Sequence, residues 1–186
     1  MSRSGRGPEQ VLGRDVNGII RQLDSIAASY RPRGESKDDV VQDFHSFRQA
    51  LNVASADQRV LLLVAGSEAE LAKQRESLKP VANDDSVIGR FHIDLDSSRK
   101  WKEPLGEKSA SDSGFFLIHP GEFGLKGEVI EQLPLETSSE ELLAALDNAR
   151  KAYASGTEKK IYSTHVSKGR QEGVYFEGAV PYGEDR

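Results

Sequence analysis

The stretch Gln58-Arg-Val-Leu-Leu-Leu-Val-Ala-Gly66 decides the fold of this chain. Six apolar residues, Val60 to Ala65, follow one another in it without a polar break. A half-buried strand alternates apolar and polar residues, so this short unbroken run predicts a strand that is covered on both faces. Such a strand is typical of an open α/β sheet with helices on either side.

A helix start follows the strand directly. Ser67-Glu-Ala-Glu70 has capping-box spacing, in which the serine accepts from an early helical N–H and the glutamate reaches back to the serine. The junction between strand and helix is where binding sites lie in open α/β sheets. No catalytic motif is present there, so the sequence predicts a place for a site without indicating its chemistry.

Two helices are expected before this strand. Residues 1–10 are rich in Gly, Arg and Ser and form a flexible N-terminus in the prediction. Apolar residues then recur every three or four positions from Val11 to Tyr30, which predicts an amphipathic helix. Ser36 is expected to cap a second helix that carries Phe44, Phe47 and Leu51 on its apolar face. Residues 11–57 are therefore predicted to be an N-terminal helical extension.

Alternating apolar and polar residues and further helix-capping patterns predict the remaining helices and strands of a domain that spans residues 58–156. The predicted elements are a helix from Ser67 that Pro80 closes, a strand Val87–Leu95, a polar crossover 97–110 with Trp101, a strand Gly114–His119, a strand Glu128–Leu133 and a helix capped by Ser138 and Glu141 that ends at Ser155-Gly156. Residues 157–186 are expected to be a C-terminal tail that packs on the body or on a partner.

Composition excludes several classes of function. The chain has 186 residues and a net charge of −5, and its Lys and Arg residues are scattered, so no nucleic-acid surface is predicted. No apolar run approaches the ~20 residues that span a bilayer. The charged start has no apolar stretch after it and predicts no intact signal peptide. The default expectation is cytoplasmic; an exported chain with its signal removed would look the same.

The chain contains no cysteine. Disulfides, thiolate nucleophiles, Cys-ligated zinc and iron–sulfur clusters are thereby excluded. The glycines at 121, 124 and 127 match neither a P-loop nor a dinucleotide-binding motif, so no cofactor is predicted. His92, Asp94 and Asp96 alternate on one face of a strand and are weak candidates for metal ligands, although a solvated polar face explains them more simply.

The order of elements over residues 59–154 resembles the thioredoxin fold. Val60 to Ala65 is similar to the central strand before the family's active-site helix, and Phe91-His-Ile-Asp-Leu-Asp96 is similar to its second strand. Gly114 to Gly121 with Gly127 to Ile130 is similar to the terminal hairpin. The resemblance implies an open mixed sheet flanked by helices, and it covers about half of the chain.

The departures from that family concern its active site. Its dithiol would fall near Ser67 to Leu71, where this chain has Ser-Glu-Ala-Glu-Leu. Its cis-proline would fall near Ser113-Gly114, and no proline is present. The resemblance therefore implies the scaffold without dithiol redox activity.

Three hypotheses for function follow. The leading one is a non-catalytic thioredoxin-like module that binds an unidentified protein or peptide in a groove formed by Ser67, Glu68, Glu70, Ser113 and Gly114. The second is a cysteine-independent enzyme or a metal- or small-ligand-binding protein that uses the same groove. The third is a structural subunit that docks through its tail. The oligomeric state is left open.

Overall fold

The computed structural model describes residues 16–29, 41, 43–106, 111–157 and 161–174. The chain divides after residue 38 into two compact units. Helix α1, Val16–Ser29, belongs to the first unit and confirms the central part of the predicted amphipathic helix. The predicted ends of that helix, Val11 to Asp15 and Tyr30, lie outside the described residues.

The second unit alternates helices and strands. Its elements are α2 (Phe47–Asp57), β1 (Val60–Ala65), α3 (Glu68–Ser77), α4 (Lys79–Ala82), β2 (Phe91–Asp96), α5 (Lys102–Leu105), β3 (Gly114–Pro120), a 3-10 turn (Glu122–Gly124), β4 (Gly127–Leu133), α6 (Ser139–Gly156) and α7 (Tyr162–Gln171). Across the described ranges, each helix is too short or too polar to cross a bilayer.

The four strands form one open mixed sheet with the order β2-β1-β3-β4. β1 runs parallel to β2 and antiparallel to β3, and β4 pairs antiparallel with β3. Leu62 lies opposite Ile93 on one side and Leu117 on the other. The prediction of an α/β protein built on an open mixed sheet is confirmed.

β1 is covered on both faces, as its unbroken apolar run predicts. All six of its residues are buried. Val60, Leu62 and Val64 belong to a core cluster that includes residues of α3, α4 and α6. Leu61, Leu63 and Ala65 belong to a second cluster that includes residues of α2 and α5. Because successive side chains of a strand point to opposite faces, one apolar run supplies both cores.

Both predicted capping boxes are present. Ser67 accepts from the backbone N–H of Glu70, and the carboxylate of Glu70 accepts from the backbone N–H of Ser67 at 2.8 Å. Ser138 and Glu141 form the same reciprocal pair at the start of α6. These short-range signals depend only on residues three apart, which explains why the sequence predicts them correctly.

The predicted start of the second helix is wrong. α2 begins at Phe47 with Ser46 as its N-cap, and residues 43–46 are not helical. Ser36, the expected cap, lies outside the described residues. The backbone N–H of Leu95 donates to Asp43 Oδ1 at 3.0 Å, so this segment contacts the edge of β2 instead of continuing a helix.

Two further boundaries differ from prediction. Pro80 does not close a helix but lies in the first turn of α4, where its missing N–H costs nothing. β2 begins at Phe91 and not at Val87. Asp84 accepts from the N–H of Ser86, and Gly89 has φ +70°, so residues 84–90 form turns before the strand starts.

Part of the predicted tail is helical and packs on the body. His165 of α7 is buried, and its ring lies 4.8 Å from that of Phe123 in the 3-10 turn. His165 Nε2 also lies 3.5 Å from Ser55 Oγ of α2. The alternative in which the tail packs on the body is therefore correct for residues 161–171, while residues 175–186 lie outside the described ranges.

Candidate functional site

A groove lies where β1 and β2 end and β3 begins. Ala65 is the last residue of β1, and it pairs with Asp96 at the end of β2 and with Gly114 at the start of β3. A cavity of about 270 Å³ opens at this edge. Its lining residues are Gly66, Ser67, Glu70, Asp96, Ser97, Arg99, Trp101, Asp112 and Ser113. We call this cavity the β1-end groove.

The structure brings three of the predicted site residues together. Ser67, Glu70 and Ser113 all line the β1-end groove, although they are far apart in the sequence. Glu70 and Ser113 also line a neighbouring cavity of about 380 Å³, which reaches Glu136. Glu68 and Gly114 line neither cavity. Three of the five predicted groove residues therefore line one cavity, and the other two contact neither cavity.

The expected role of Gly114 is wrong. As a glycine in extended backbone at the groove, Gly114 is expected to let the bound segment approach closely and pair with the main chain. β3 is an inner strand, paired with β1 on one side and β4 on the other, so its backbone is already occupied. Gly114 has φ +140°, and a Cβ there would lie 2.6 Å from the carbonyl oxygen of Leu133. The close approach is by β4 of the same chain.

The carboxylates of Glu70 and Asp96 give the groove negative charge. The Ser67 hydroxyl and N–H hydrogen-bond to Glu70, and these bonds lower the pKa of this exposed carboxyl. Within the described ranges, neither Glu70 nor Asp96 forms an ion pair with a Lys or Arg side chain. The groove thus carries two carboxylates that a ligand cation could neutralise.

The third carboxylate of the groove is neutralised by the protein. Asp112 is hydrogen-bonded to Lys102 and lies 3.1 Å from the Arg99 guanidinium. The Lys102 hydrogen bond, followed by the charge of Arg99, lowers the pKa of Asp112. Arg99 has φ +61°, an uncommon conformation for a residue with a side chain. Asp112 and Arg99 of this ion cluster line the groove together with Trp101.

Trp101 is fully buried and lines the groove. Its ring packs at 4.7 Å from that of Phe116, within the core cluster that includes residues of α2 and α5. Its indole Nε1 has no hydrogen-bond partner among the described residues. A buried donor without an acceptor costs about 1–3 kcal/mol, so this N–H needs an explanation.

The three weak metal candidates do not form a metal site. His92 Nε2 lies 2.9 Å from Asp57 Oδ2 at the end of α2, and this hydrogen bond lowers the pKa of Asp57. Asp94 is buried, and the charge of Asp43 and a hydrogen bond to Asp43 act on its carboxyl. Within the described ranges, no group of three His, Asp or Glu residues is placed to hold a metal ion.

Asp94 is the most perturbed carboxyl of the described chain. It is 1% exposed, and its pKa is raised to about 8, mainly by burial. The charge of Asp43, a hydrogen bond to Asp43 and the charge of Asp96 are the further causes that raise this pKa. Asp43 in turn accepts from Leu95 N–H and pairs with Arg75. Asp94 therefore keeps its proton at neutral pH.

A larger cavity adjoins this pair of carboxyl groups. It has a volume of about 1010 Å³ and is lined by residues at the start of α2, the end of β2, α5 and the turn before β4. Asp94 lines it together with Arg48, Lys100 and Lys126. Ligand sites commonly combine such a volume with a titratable group whose pKa is shifted.

The burial of Trp101 and the pairing of Asp43 with Asp94 are not predicted by the sequence. Trp101 lay in a polar crossover, where nothing in the local pattern predicts burial. Asp43 falls within the second helix that the sequence predicts from Ser36, and a residue in that helix is not expected to contact β2. Asp94 falls on the polar face of the predicted strand, with His92 and Asp96, so no local pattern indicates that it is buried.

Comparison of the chain with protein-family models, with curated proteins and with solved structures gave no match.

Proposed function

We propose that this chain is a non-catalytic thioredoxin-like module that binds an extended segment of another protein in the β1-end groove. The order of elements supports the scaffold: a central strand precedes a capped helix, a parallel second strand follows, and a terminal hairpin leads into a last amphipathic helix. The absence of cysteine supports a role in binding and not in dithiol exchange.

One observation carries this proposal. Ser67, Glu70 and Ser113 converge on one cavity at the carboxyl ends of the parallel strands β1 and β2. Open α/β sheets place ligands at this edge. Because β3 is paired on both sides, the partner would be held by side chains of the groove and not by strand addition.

The test is a comparison of two tryptophan substitutions. Ser113 is half-buried and lines both groove cavities, so Ser113→Trp should block them. Ser155→Trp is the matched control, because Ser155 is exposed near the end of the 18-residue helix α6, about 25 Å along the helix from its start. Circular dichroism would verify that both variants are folded.

A display library of short peptides, selected on the wild-type protein, should yield binders that Ser113→Trp loses and Ser155→Trp keeps. Selected peptides that bind both variants equally would place the site elsewhere. Failure to enrich any peptide would count against the binding-module proposal itself.

A second candidate function is small-molecule binding in the cavity of about 1010 Å³, with Asp94 as the group for acid–base chemistry. The raised pKa of Asp94 is the observation that favours it. A thermal-shift screen on the wild type and on Asp94→Asn tests it: a compound that stabilises the wild type and not the variant supports this function.

Docking through the tail is the weaker alternative. The described part of the tail, α7, already packs against α2 of the same chain. This contact favours an intramolecular role for residues 161–171.

A further inference from the structure

We propose that α1 is a self-association element, through which two copies of this chain pair to form a dimer. The surface involved lies outside the β1-end groove, so this inference does not depend on the proposed function. Three features of α1 carry it: the spacing of its apolar residues, the exposure of Ile20 and Leu23, and the absence of charge beside the apolar stripe.

The apolar residues of α1 are spaced for packing against another helix. The residues that follow one another at steps of three, four and three positions are Val16, Ile19, Leu23 and Ile26. Because all four lie within the helix, their positions fall on one stripe of its surface. In the sequence, Leu12 and Tyr30 continue the same steps on either side. A strict seven-residue repeat of this kind keeps the stripe facing a like helix along its whole length. We call these positions the α1 stripe.

The second feature is the exposure of large apolar side chains on α1. Ile20 is 50% exposed and Leu23, in the α1 stripe, is 51% exposed. Helices shorter than about 12–15 residues are only marginally stable alone in water, and α1 has 14 residues. It belongs to a compact unit of its own, Met1–Asp38. Burial of the stripe against a second helix would supply the stabilisation that so short a helix lacks by itself.

The residues that flank the stripe favour an identical helix as the partner. In the seven-residue repeat, Ile20 and Ala27 occupy the e positions, while Gln22 and Ser29 occupy the g positions. Charges at e and g decide which helices pair, and like charges there oppose self-pairing. None of these four residues is charged, so two copies of α1 can meet without repulsion at their flanks.

A membrane surface is the alternative partner for an exposed amphipathic helix. Helices that lie on membranes are rich in Lys and Arg on their polar face. Arg21 and Asp24 are the only charged residues of α1, so the helix has no net charge to attract anionic lipids. The composition of the polar face therefore favours a second copy of the chain over a lipid surface.

Sedimentation equilibrium of the full-length protein over a range of concentrations tests the inference. We expect a monomer–dimer equilibrium with a Kd in the micromolar range, because the stripe covers fewer than three full repeats of seven residues. A wild-type protein that stays monomeric up to about 0.5 mM would overturn the inference.

Two alanine variants separate the stripe from the stability of the helix. Alanine is the strongest helix former, so both Leu23→Ala and Ser25→Ala should keep α1 helical. Leu23→Ala truncates the stripe in both copies and should raise the dimer Kd at least about tenfold. Ser25→Ala changes an exposed residue two positions along, off the stripe, and should leave the Kd unchanged.

The remaining outcomes would each contradict pairing through α1. Equal dimerisation of the wild type and both variants would place the contact on another surface. Monomeric wild-type protein that sediments with phosphatidylcholine–phosphatidylserine vesicles, and a Leu23→Ala variant that does not, would assign the stripe to a membrane. Peptide binding in the β1-end groove is measured separately, so failure of either idea leaves the other standing.

Discussion

At the scale of single residues, Leu62 shows most directly how the apolar run determines the fold. It has no exposed surface, and it packs in the core cluster that includes residues of α3, α4 and α6. Leu62→Asp would place a carboxylate there without a partner, at a cost of several kcal/mol. Since native domains are stable by only about 5–15 kcal/mol, we expect the second unit to unfold.

Circular dichroism and thermal melting check this prediction. Ile130→Asp is the control, because Ile130 lies in the same sheet but is 38% exposed. It should melt close to the wild type. A Leu62→Asp variant with wild-type spectrum and Tm would contradict the two-sided burial of β1.

At Asp94, in contrast, we expect a substitution to stabilise the folded protein. Its folded-state pKa of about 8 exceeds the ordinary value of 3.8, so the native state binds the extra proton between these pH values. The free energy of unfolding therefore falls as pH rises through this window. At about 1.4 kcal/mol per pH unit, the cost at pH 7 reaches about 4 kcal/mol.

Asp94→Asn should remove most of this cost, because an amide stays neutral and can still donate to Asp43. Urea unfolding between pH 5 and pH 8 should show the variant more stable than the wild type, by a margin that grows with pH. The control Asp85→Asn changes an exposed carboxyl and should leave the pH dependence unaltered. Parallel curves for wild type and Asp94→Asn would mean that Asp94 is ionised in the folded protein.

At the scale of elements, local signals were predictable and long-range contacts were not. Both capping boxes and the run of β1 depend on neighbours in sequence, and they are correct. The sequence predicts too early a start for α2 because Ser36 also has a capping pattern. The segment before Phe47 instead contacts β2 through Asp43, and β2 lies about 50 residues later in the chain. Likewise, Ser67 and Ser113 share a groove only because β1 and β3 pair, which no local pattern contains.

The β3–β4 hairpin requires a glycine at position 114. A methyl group would both strain φ at +140° and approach the Leu133 carbonyl oxygen to 2.6 Å. We expect Gly114→Ala to lower the free energy of unfolding by about 1–3 kcal/mol, measured by urea denaturation. Gly156→Ala meets no atom within 4 Å and should change stability little. Equal effects of the two substitutions would show that the hairpin does not need a glycine.

For the molecule as a whole, the absence of cysteine predicts that the protein lacks dithiol oxidoreductase activity. Dithiol exchange begins with attack by a thiolate, and the sequence contains no cysteine. The protein should therefore reduce or isomerise a disulfide substrate no faster than a heat-treated sample. Turnover above that control, with contaminating oxidoreductases removed, would require a chemistry other than thiol exchange.

The attachment of α7 to the rest of the second unit leads to a prediction about the tail. His165 is buried between Phe123 and Ser55, and Gly169 of the same helix is buried as well. Truncating the imidazole removes this packing, so His165→Ala should let α7 open locally more often. Trypsin then gains access to Lys168 and Arg170, which lie in the last turn of α7.

Limited proteolysis with mass spectrometry measures this effect. Cleavage after Lys168 and Arg170 should be several-fold faster in His165→Ala than in the wild type, while the sheet from Val60 to Leu133 stays intact in both. His45→Ala, which truncates an exposed imidazole, should cut like the wild type. Equal rates at Lys168 in all three proteins would mean that α7 is not held by His165, and an early cut within β1 would contradict the assignment of the core.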